Sequence, residues 1–433
     1  MALRENARIC FVSTLGELGG AEVCLLDTIE VLKKRHPEWR AALIVPSDGS
    51  LALRARELDI QVEVVPYPAS LARLGDSQFR RSTQSANSFA LGMNFISAVP
   101  ALASYRSSLG QTLRSFAPDV IYANGFKAQI FTSMTRPRWS RLVWHTHDYV
   151  SSRPIAGKFF RRYARSADRL IANSKSVAED IRSVLGSNSV QPVDVIYNAV
   201  DLNHFSPRGD RLDIDNLSGL DPAPYGSLRV ALVATMAWWK GHRTYLEAIS
   251  RLRDLPVRGY LIGGPIYRTS GSENSLADLR EQAQKLGISD RMGFTGFLSD
   301  IASALRSVDI LVHASNRPEP FGRAVIEAMA CGKPVITTGI GGSAEIASAG
   351  PGTLKFWPGE ADDLAKAIST LVRNPSLRKS MGESARKTAV QHFGRERLAE
   401  NLDRVLQSLT SEVRPAVIEP ALPLEEKALA SGI

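Results

Sequence analysis

Two acidic residues, Glu319 and Glu327, stand eight positions apart in "PEPFGRAVIEAMACGKPVI", residues 318–336. Proline is favoured in the first turn of a helix, so the sequence predicts a helix that begins at Pro320 and leaves Glu319 just outside it. The unpaired N–H groups of this helix start are then those near Phe321, Gly322 and Arg323. A carboxylate beside free N–H donors both accepts and donates hydrogen bonds, which suits a ligand with many hydroxyl groups.

The second acid lies inside the predicted helix, in the otherwise apolar run "AVIEAMA". A carboxylate in apolar surroundings needs a polar partner, because an unpaired buried charge is costly. The sequence therefore predicts that Glu327 accepts hydrogen bonds from a second diol of the same ligand. The alternative is a proline-initiated helix with two ordinary solvated acids.

Two further segments have residues suited to binding phosphate. In "MAWWKGH", Lys240 and Gly241 directly follow a predicted strand, so the lysine can reach a phosphate at the strand end. In "STLGELGGAEVCLLDTIEVL", Gly19 and Gly20 separate a strand from an amphipathic helix, whose first N–H groups can bind an anion. The spacing is not GxGxxG, so a dinucleotide fingerprint is absent and a plain turn is the alternative.

The segment "VWHTHDYV" places His145, His147 and Asp148 at the carboxyl end of a predicted strand, where functional groups of parallel sheets usually lie. Strand alternation puts the two histidines on the same side. No further Cys/His cluster supports a metal site. We expect His147 to contact substrate, and a hydrogen-bonded structural histidine is the alternative.

The elements that position these residues form two series of short apolar runs separated by helical patterns. The first series is "RICFVST", "AALIVPS", "VEVVPYP", "DVIYANG", "RLVWHTH", "RLIANS" and "VDVIYNA", and the second is "RVALVATM", "GYLIGGP", "MGFTG", "DILVHAS", "KPVITTG" and "TLKFWP". Such runs predict parallel strands that are buried on both faces. The fold class is therefore α/β, with two Rossmann-like, doubly wound domains facing each other across a cleft.

The domain boundaries follow from the break between the two series. We expect an N-terminal domain over 1–205, a linker over 206–227, a C-terminal domain over 228–390, a helix over 391–410 that returns to the N-terminal domain, and a flexible tail over 411–433. Three dispersed cysteines indicate neither a disulfide framework nor a zinc site. The sequence has no export signal and no run of about 18 apolar residues, so we expect a cytoplasmic protein.

Positive charge is concentrated in residues 71–170, which contain fifteen Lys/Arg and four Asp/Glu. The whole chain has a net charge of +9. Such a surface attracts anionic lipid, nucleic acid or phosphorylated substrates, and a solvated basic face is the alternative. The window contains the basic segment "GKFFRRYARSADR" and the apolar segment "FALGMNFISAVPALASY". Together they predict peripheral binding at the cytoplasmic face of a membrane, unless the apolar segment is a buried helix.

Nearly the whole chain resembles the family 4 glycosyltransferases, which have the GT-B fold, use sugar nucleotides and retain the anomeric configuration. The motifs that support this resemblance are "GGAE", "HD", "ADRLIANSKSVAEDI", "VIYNAVDLNHFSP", "WKGH", "GFTGFLSD", "PEPFGRAVIEAMACGKPVI" and "GGSAEI". The resemblance implies that a nucleoside-diphosphate sugar binds in the cleft. It also implies that the N-terminal domain holds the acceptor, here expected to be a saccharide that is lipid-linked or part of a surface polysaccharide. Neither a cofactor, a metal nor a nucleic-acid partner is expected.

The resemblance also assigns roles to individual residues. Glu319 and the backbone from Phe321 to Arg323 hold the donor sugar, and Glu327 binds the ribose diol. Lys240, with Gly241, and the amides of Gly19 and Gly20 neutralise the diphosphate, and His147 lies near the reacting sugar. Preorganised positive groups of this kind stabilise the charge that develops on the leaving group.

One position departs from the family pattern. Thr235 stands where many relatives have an arginine that works with the lysine. Either another basic residue, such as Arg243 or Arg323, works with Lys240, or the activity is weaker or altered. Two other functions keep the same fold: a sugar-nucleotide epimerase, which needs no acceptor, and a non-catalytic protein that binds through its basic surface. The acids at Glu319 and Glu327 argue against both, and Thr235 argues mildly for the second.

Overall fold

The computed structural model describes residues 6–68, 88–187, 189–264 and 275–411. Apart from its first residue, the tail expected over 411–433 lies outside the described residues, and so does part of the basic window. Within the described residues two parallel sheets are present, and each is covered by helices, which confirms the α/β fold class.

The first sheet has seven strands in the order β3-β2-β1-β4-β5-β6-β7. They are β1 (Arg8–Ser13), β2 (Arg40–Val45), β3 (Gln61–Val64), β4 (Val120–Asn124), β5 (Arg141–Thr146), β6 (Arg169–Ala172) and β7 (Val193–Val195). All neighbouring strands run parallel. Each overlaps one of the seven apolar runs of the first series, and β2 and β3 begin one residue before their runs. The agreement follows because strands buried on both faces are apolar along most of their length.

The second sheet has six strands in the order β10-β9-β8-β11-β12-β13. They are β8 (Leu228–Val233), β9 (Val257–Ile262), β10 (Met292–Gly296), β11 (Ile310–His313), β12 (Val335–Thr337) and β13 (Thr353–Lys355). These strands also pair in parallel and correspond to the second series of runs. In both sheets the chain reverses its direction of winding beside the first strand, between β1 and β4 and between β8 and β11.

Helices cover both faces of each sheet and bury separate apolar cores. In the first half they are α1 (Gly20–Arg35), α2 (Ser50–Glu57), α3 (Ser88–Phe116), α4 (Phe126–Thr135), α5 (Pro154–Tyr163) and α6 (Lys175–Leu185). The later ones are α7 (Ile214–Leu217), α8 (His242–Ser250), α9 (Leu276–Lys285), α10 (Ile301–Arg306), α11 (Arg323–Ala330), α12 (Gly342–Ser348), α13 (Ala361–Arg373), α14 (Pro375–His392) and α15 (Arg395–Ser411).

The last helix lies against the first sheet rather than the second. Leu398, Leu402 and Leu406 of α15 are buried in the same core as Ile9 of β1 and Leu25 of α1. Its apolar stripe recurs every four residues, which is the spacing that aligns side chains on one helix face. The chain therefore passes from the first sheet to the second and returns.

The segment between the two sheets is attached to the second sheet by a buried carboxylate. Asp215 of α7 accepts hydrogen bonds from Arg229 Nη2 and Arg258 Nη1, each at 2.7 Å, and from the Tyr260 hydroxyl. The Asp215 side chain is 3% exposed. Burial alone disfavours the charged carboxylate, but these hydrogen bonds outweigh it and hold the pKa of Asp215 well below its usual range.

Among the described helices, none combines the length and the apolar character that crossing a bilayer requires. Helix α3 spans 29 residues and contains the apolar segment of the basic window, with Pro100 inside it. Its later part is buried through Tyr105, Leu109 and Leu113.

Replacing Asp215 by Asn should lower the free energy of unfolding by about 3 kcal/mol, because two arginines then remain partly buried without their carboxylate. Urea unfolding at pH 7 measures the change. Asp213→Asn is the matched control, since Asp213 caps α7 through the Asn216 N–H and Asn caps a helix equally well. Equal stability of the two variants would contradict this account of the linker.

Candidate functional site

Except for His147, which follows β5, the predicted site residues follow the strands that flank the two reversals of strand order. Gly19 and Gly20 follow β1, whose neighbour β4 ends at Asn124. Lys240 follows β8, whose neighbour β11 ends at His313. In open α/β sheets, a crevice at the carboxyl ends of the strands forms at such a reversal. The site is therefore built from the corresponding edges of both sheets.

Lys240 and Glu319 form an ion pair in which Nζ lies 2.6 Å from Oε1. The other carboxylate oxygen, Oε2, accepts a hydrogen bond from the Ser315 hydroxyl at 2.7 Å and lies 3.6 Å from His313 Nε2. Burial by itself raises the pKa of Glu319, but the Lys240 ammonium and His313 outweigh that effect and hold it well below the usual range. Glu319 is thus a fixed acceptor that stays ionised at neutral pH.

The backbone before and after Lys240 fixes the position of its side chain. Trp238–Lys240 is a single 3-10 turn that ends at Gly241. Gly241 has φ +75°, and a Cβ there would lie 1.9 Å from the Ala314 carbonyl oxygen. This position needs glycine for two reasons, its left-handed conformation and the close approach of the β11 strand end.

The helix that follows Glu319 begins later than the sequence predicts. Pro320 is not in its first turn, because α11 begins at Arg323 and Gly322 is its N-cap with φ +111°. The predicted start was wrong because a left-handed glycine, rather than the proline, sets the boundary. Within the described part of the chain, the Phe321 and Gly322 N–H groups donate to no protein acceptor. They are free to donate to a ligand, although the Phe321 ring itself is buried.

The partner of Glu327 is a protein side chain. Arg323 Nη2 lies 3.2 Å from Glu327 Oε1, and Arg323 Nη1 lies 3.0 Å from Asp27 Oδ2 of α1. Burial raises the pKa of Glu327, and the Arg323 guanidinium offsets only part of this effect. Arg323 therefore joins the helix that contains Glu327 to the first helix of the chain.

His147 follows β5 and lies beside His145, with ring centroids 3.9 Å apart, as strand alternation predicts. Its Nε2 is 2.7 Å from Asn124 Oδ1, and its Nδ1 has no hydrogen-bond partner among the described residues. Burial, together with the positive charge of Arg323, lowers the pKa of His147 to about 3. The ring is neutral at physiological pH.

The glycines after β1 lie at the start of α1. Gly19 is its N-cap with extended backbone, and Gly20 is its first residue. A Cβ added at Gly20 would meet no atom within 4 Å, so no neighbouring side chain excludes a larger residue. Gly20 therefore borders open space, whereas the buried Glu22 carboxyl group of the same turn interacts with the Gly19 N–H. Burial raises the pKa of Glu22 to about 7. The remaining N–H groups of the helix start can bind an anion.

The two sheet edges contact each other directly. The Tyr149 hydroxyl, two residues after His147, donates to the Glu319 carbonyl oxygen at 3.2 Å and accepts from Ser176 at 2.8 Å. Glu345 of α12 accepts from the N–H groups of Lys175 and Ser176 at the start of α6, at 2.9 and 2.8 Å. A carboxylate at a helix N-terminus is stabilised by the free N–H groups and by the helix dipole.

The basic residues proposed to replace the absent arginine have different surroundings. Arg323 is committed to two carboxylates, and Arg243 is exposed on α8. A third residue, Arg317, lies over the Trp238 ring with its guanidinium carbon 4.4 Å from the ring centroid. Trp238 belongs to the 3-10 turn that contains Lys240, so Arg317 packs against that turn.

Several site residues were missed by the sequence analysis: Asn124, Tyr149, His313, Ser315, Arg317 and Glu345. Most of them lie at or just after the end of a strand. The same position singled out His145, His147 and Lys240 in the sequence, so it indicates these residues as well. The described residues contain no group of three or more His, Cys, Asp or Glu side chains placed to hold a metal ion.

Two family models match the chain. Residues 18–204 match Glycosyltransferase Family 4, and residues 222–388 match Glycosyl transferases group 1. The first match covers most of the first sheet and the second covers the whole of the second sheet.

The matches to curated relatives cover only part of this chain and part of each relative. The chain is 28% identical over 250 residues to the lipopolysaccharide core biosynthesis glycosyltransferase LpsE of Rhizobium meliloti, which covers 58% of this chain and 66% of the relative. It is 32% identical over 243 residues to a D-inositol 3-phosphate glycosyltransferase of Rhodococcus erythropolis, covering 54% of this chain and 52% of the relative. The matched segments thus span between about half and two thirds of these relatives.

Solved structures match over nearly the full length. The complex of Anabaena HepE with UDP-glucose superposes with a TM-score of 0.72 at 25% identity, covering 93% of this chain and 99% of HepE. WaaG, a glycosyltransferase involved in lipopolysaccharide biosynthesis, has a TM-score of 0.61 at 15% identity and covers 92% of this chain and 99% of WaaG, which shows a shared fold.

Replacing Lys240 by Met should lower the free energy of unfolding at pH 7 by about 2 kcal/mol, because the mostly buried Glu319 carboxylate loses its counter-charge. Without the ammonium the pKa of Glu319 rises, so the loss should shrink as the pH falls and the carboxyl group becomes protonated. In the Lys240→Met background, Glu319→Gln should restore most of the stability. The double-mutant cycle consists of the wild-type protein, the two single variants and the double variant, and urea unfolding at pH 7 and pH 4.5 measures the stability of each. Strictly additive effects of the two substitutions would exclude a stabilising ion pair.

Proposed function

Because the chain belongs to glycosyltransferase family 4, we propose that it transfers a sugar from a nucleoside-diphosphate sugar to an acceptor with retention of the anomeric configuration. The observation that supports this proposal most directly is the ionised Glu319, held by Lys240 and followed by two N–H groups that have no acceptor among the described residues. A carboxylate, an ammonium and free amides are the groups needed to bind sugar hydroxyls and a diphosphate side by side.

We propose a UDP-sugar as the donor. Anabaena HepE, which matches this chain over nearly its full length, was crystallised with UDP, with UDP-glucose, and with UDP and glucose. In our proposal Glu319 accepts hydrogen bonds from hydroxyls of the transferred sugar. Glu327 accepts from the ribose diol, and Lys240 interacts with the diphosphate together with the N–H groups at Gly19 and Gly20.

The proposed chemistry depends on stabilising the leaving group. When the bond between the anomeric carbon and the phosphate oxygen breaks, negative charge grows on the nucleoside diphosphate. Lys240 and the amides at the start of α1 lie on fixed backbone, so they stabilise that charge without reorganising. The acceptor hydroxyl attacks from the face that the phosphate leaves, and the departing phosphate oxygen takes its proton. No step in this scheme needs a metal ion.

We further propose an acceptor at a membrane surface, such as a lipid-linked saccharide or a growing surface polysaccharide. The LpsE relative is a lipopolysaccharide core biosynthesis enzyme by name. Helix α5, in the basic window, exposes one apolar ring, Phe159, which is 38% exposed. Four exposed basic side chains lie on or just after this helix and form no ion pair with a described residue: Lys158, Arg161, Arg162 and Arg165. Such a face can lie on anionic lipid at the cytoplasmic side.

A panel of UDP-, GDP- and ADP-sugars tests the proposed donor by thermal shift and by release of nucleoside diphosphate. UDP-sugars should raise the unfolding temperature most, because a ligand at 100 times its Kd stabilises the fold by about 2.7 kcal/mol. EDTA should leave turnover unchanged. Release of UDP with a free, isomerised sugar would identify an epimerase instead, and no response to any nucleotide sugar would favour a non-catalytic protein.

The two acids should affect different steps. Glu319→Gln should lower kcat by at least about tenfold with little effect on the Kd for UDP, because the sugar is the part of the donor proposed to contact Glu319. Glu327→Gln should chiefly weaken UDP binding. Calorimetry with UDP and steady-state kinetics separate the two effects. Glu281→Gln, which changes an exposed acid on α9, is the control, and the same pattern in both site variants would refute the assignment.

Co-sedimentation with vesicles tests the proposed membrane surface. The protein should bind anionic vesicles at low salt and dissociate as salt screens the charges. Arg161→Glu with Arg162→Glu should abolish binding. Lys379→Glu with Arg397→Glu makes the same change in net charge at exposed positions of α14 and α15 and should leave binding intact. A protein that remains in the supernatant with anionic vesicles would point to a soluble acceptor.

A further inference from the structure

The His147 ring is oriented by one buried amide. Asn124, the last residue of β4, is 0% exposed, and its Oδ1 lies 2.7 Å from His147 Nε2. Its Nδ2 donates to the Ala21 carbonyl oxygen at 3.3 Å. A carbonyl oxygen can only accept, so the contact with Ala21 determines which end of the amide faces the ring.

This orientation determines where the ring proton lies. Asn124 Oδ1 is an acceptor, so His147 Nε2 must be the protonated nitrogen of the neutral imidazole. Its Nδ1 then has a free lone pair. That atom is buried and has no hydrogen-bond partner among the described residues, at the strand edge where the donor is proposed to bind. A buried acceptor without a partner is costly unless a ligand supplies a donor.

Other contacts do not fix the ring in this way. His145, whose ring lies 3.9 Å from that of His147, is itself held through Nδ1 by the Tyr122 hydroxyl at 2.8 Å. Gln129 of α4 binds the backbone of β5, since its Nε2 donates to the His145 carbonyl oxygen at 2.9 Å. Neither group contacts the His147 ring nitrogens through a hydrogen bond. Asn124 is therefore the described side chain that selects the tautomer.

We propose that Asn124 is a positioning residue for the reaction: it holds His147 as the Nε2–H tautomer, so that Nδ1 accepts a hydrogen bond from a hydroxyl of the bound sugar. The role of Nδ1 rests on the proposed function, whereas the tautomer is a property of the ligand-free protein. The contact with Ala21 also joins His147 to the first turn of α1.

The tautomer can be measured without any substrate. In protein labelled with [¹⁵N]histidine, ¹H–¹⁵N correlation at pH 7 distinguishes the protonated from the unprotonated ring nitrogen of each of the seven histidines. The spectrum of His147→Gln identifies the His147 signals. The wild-type protein should show a protonated Nε2 and an unprotonated Nδ1. A proton on Nδ1 in the wild-type protein would overturn the proposal.

Variants at position 124 test the cause. Asn124→Leu, of similar size but without polar atoms, should yield a mixture of tautomers, whereas Asn124→Asp keeps an acceptor and should keep Nε2–H. If Asn124→Leu does not fold, Asn124→Ala replaces it. Gln129→Met is the matched control, because it removes a buried amide of α4 that binds the β5 backbone without touching the His147 ring, and it should keep the wild-type tautomer. A single Nε2–H tautomer in the Leu or Ala variant would refute the role of Asn124.

Turnover tests the second half of the proposal. With the nucleotide sugar that gives turnover in the wild-type protein, Asn124→Leu should lower kcat by at least about tenfold and leave KM for the donor within about threefold, because loss of the required tautomer affects the reacting sugar rather than the nucleotide. Unchanged kcat despite a changed tautomer would overturn the role of Nδ1 and leave the proposed function standing. If no nucleotide sugar binds, the proposed function fails while the tautomer measurement still decides the role of Asn124.

Discussion

The candidate site depends on keeping a carboxylate ionised where little water reaches it. Glu319 is 15% exposed, and its negative charge is stable there because Lys240 and Ser315 each contact one of its oxygens. Such a pair costs desolvation, and a well-packed apolar pair would stabilise the fold at least as well. In the proposed function the pair serves recognition of a ligand rather than stability. Gly241 and Gly322, both left-handed, lie next to Lys240 and three residues after Glu319.

This ion pair belongs to the second sheet, but the contacts around it cross to the first. The carbonyl group of Glu319 accepts from Tyr149, and Arg323, four residues further on, binds Asp27 of the first helix. A ligand that touches Glu319 and Glu327 is thereby linked to groups of both halves. If the donor and the acceptor bind in different halves, as the proposed function implies, contacts of this kind relate the position of one substrate to that of the other.

The sequence predicted the features that depend on residues close together in the chain. All thirteen described strands overlap the apolar runs, because a strand buried on both faces is apolar by itself. The start of α11 was missed, because the left-handed conformation of Gly322 outweighed the local preference of Pro320. The contacts of Arg323 with Asp27 and of Asn124 with His147 join residues far apart in the chain, and no local pattern indicates them. Glu327 was correctly expected to need a polar partner, which in the ligand-free protein is Arg323.

A crystal structure of the protein with UDP-glucose is the most direct test of this account. The account predicts that the diphosphate lies between Lys240 and the start of α1, that Glu319 accepts hydrogen bonds from the glucose hydroxyls, and that the ribose diol contacts Glu327. Glucose bound away from Glu319, or a diphosphate that touches neither Lys240 nor the amides at Gly19 and Gly20, would contradict it.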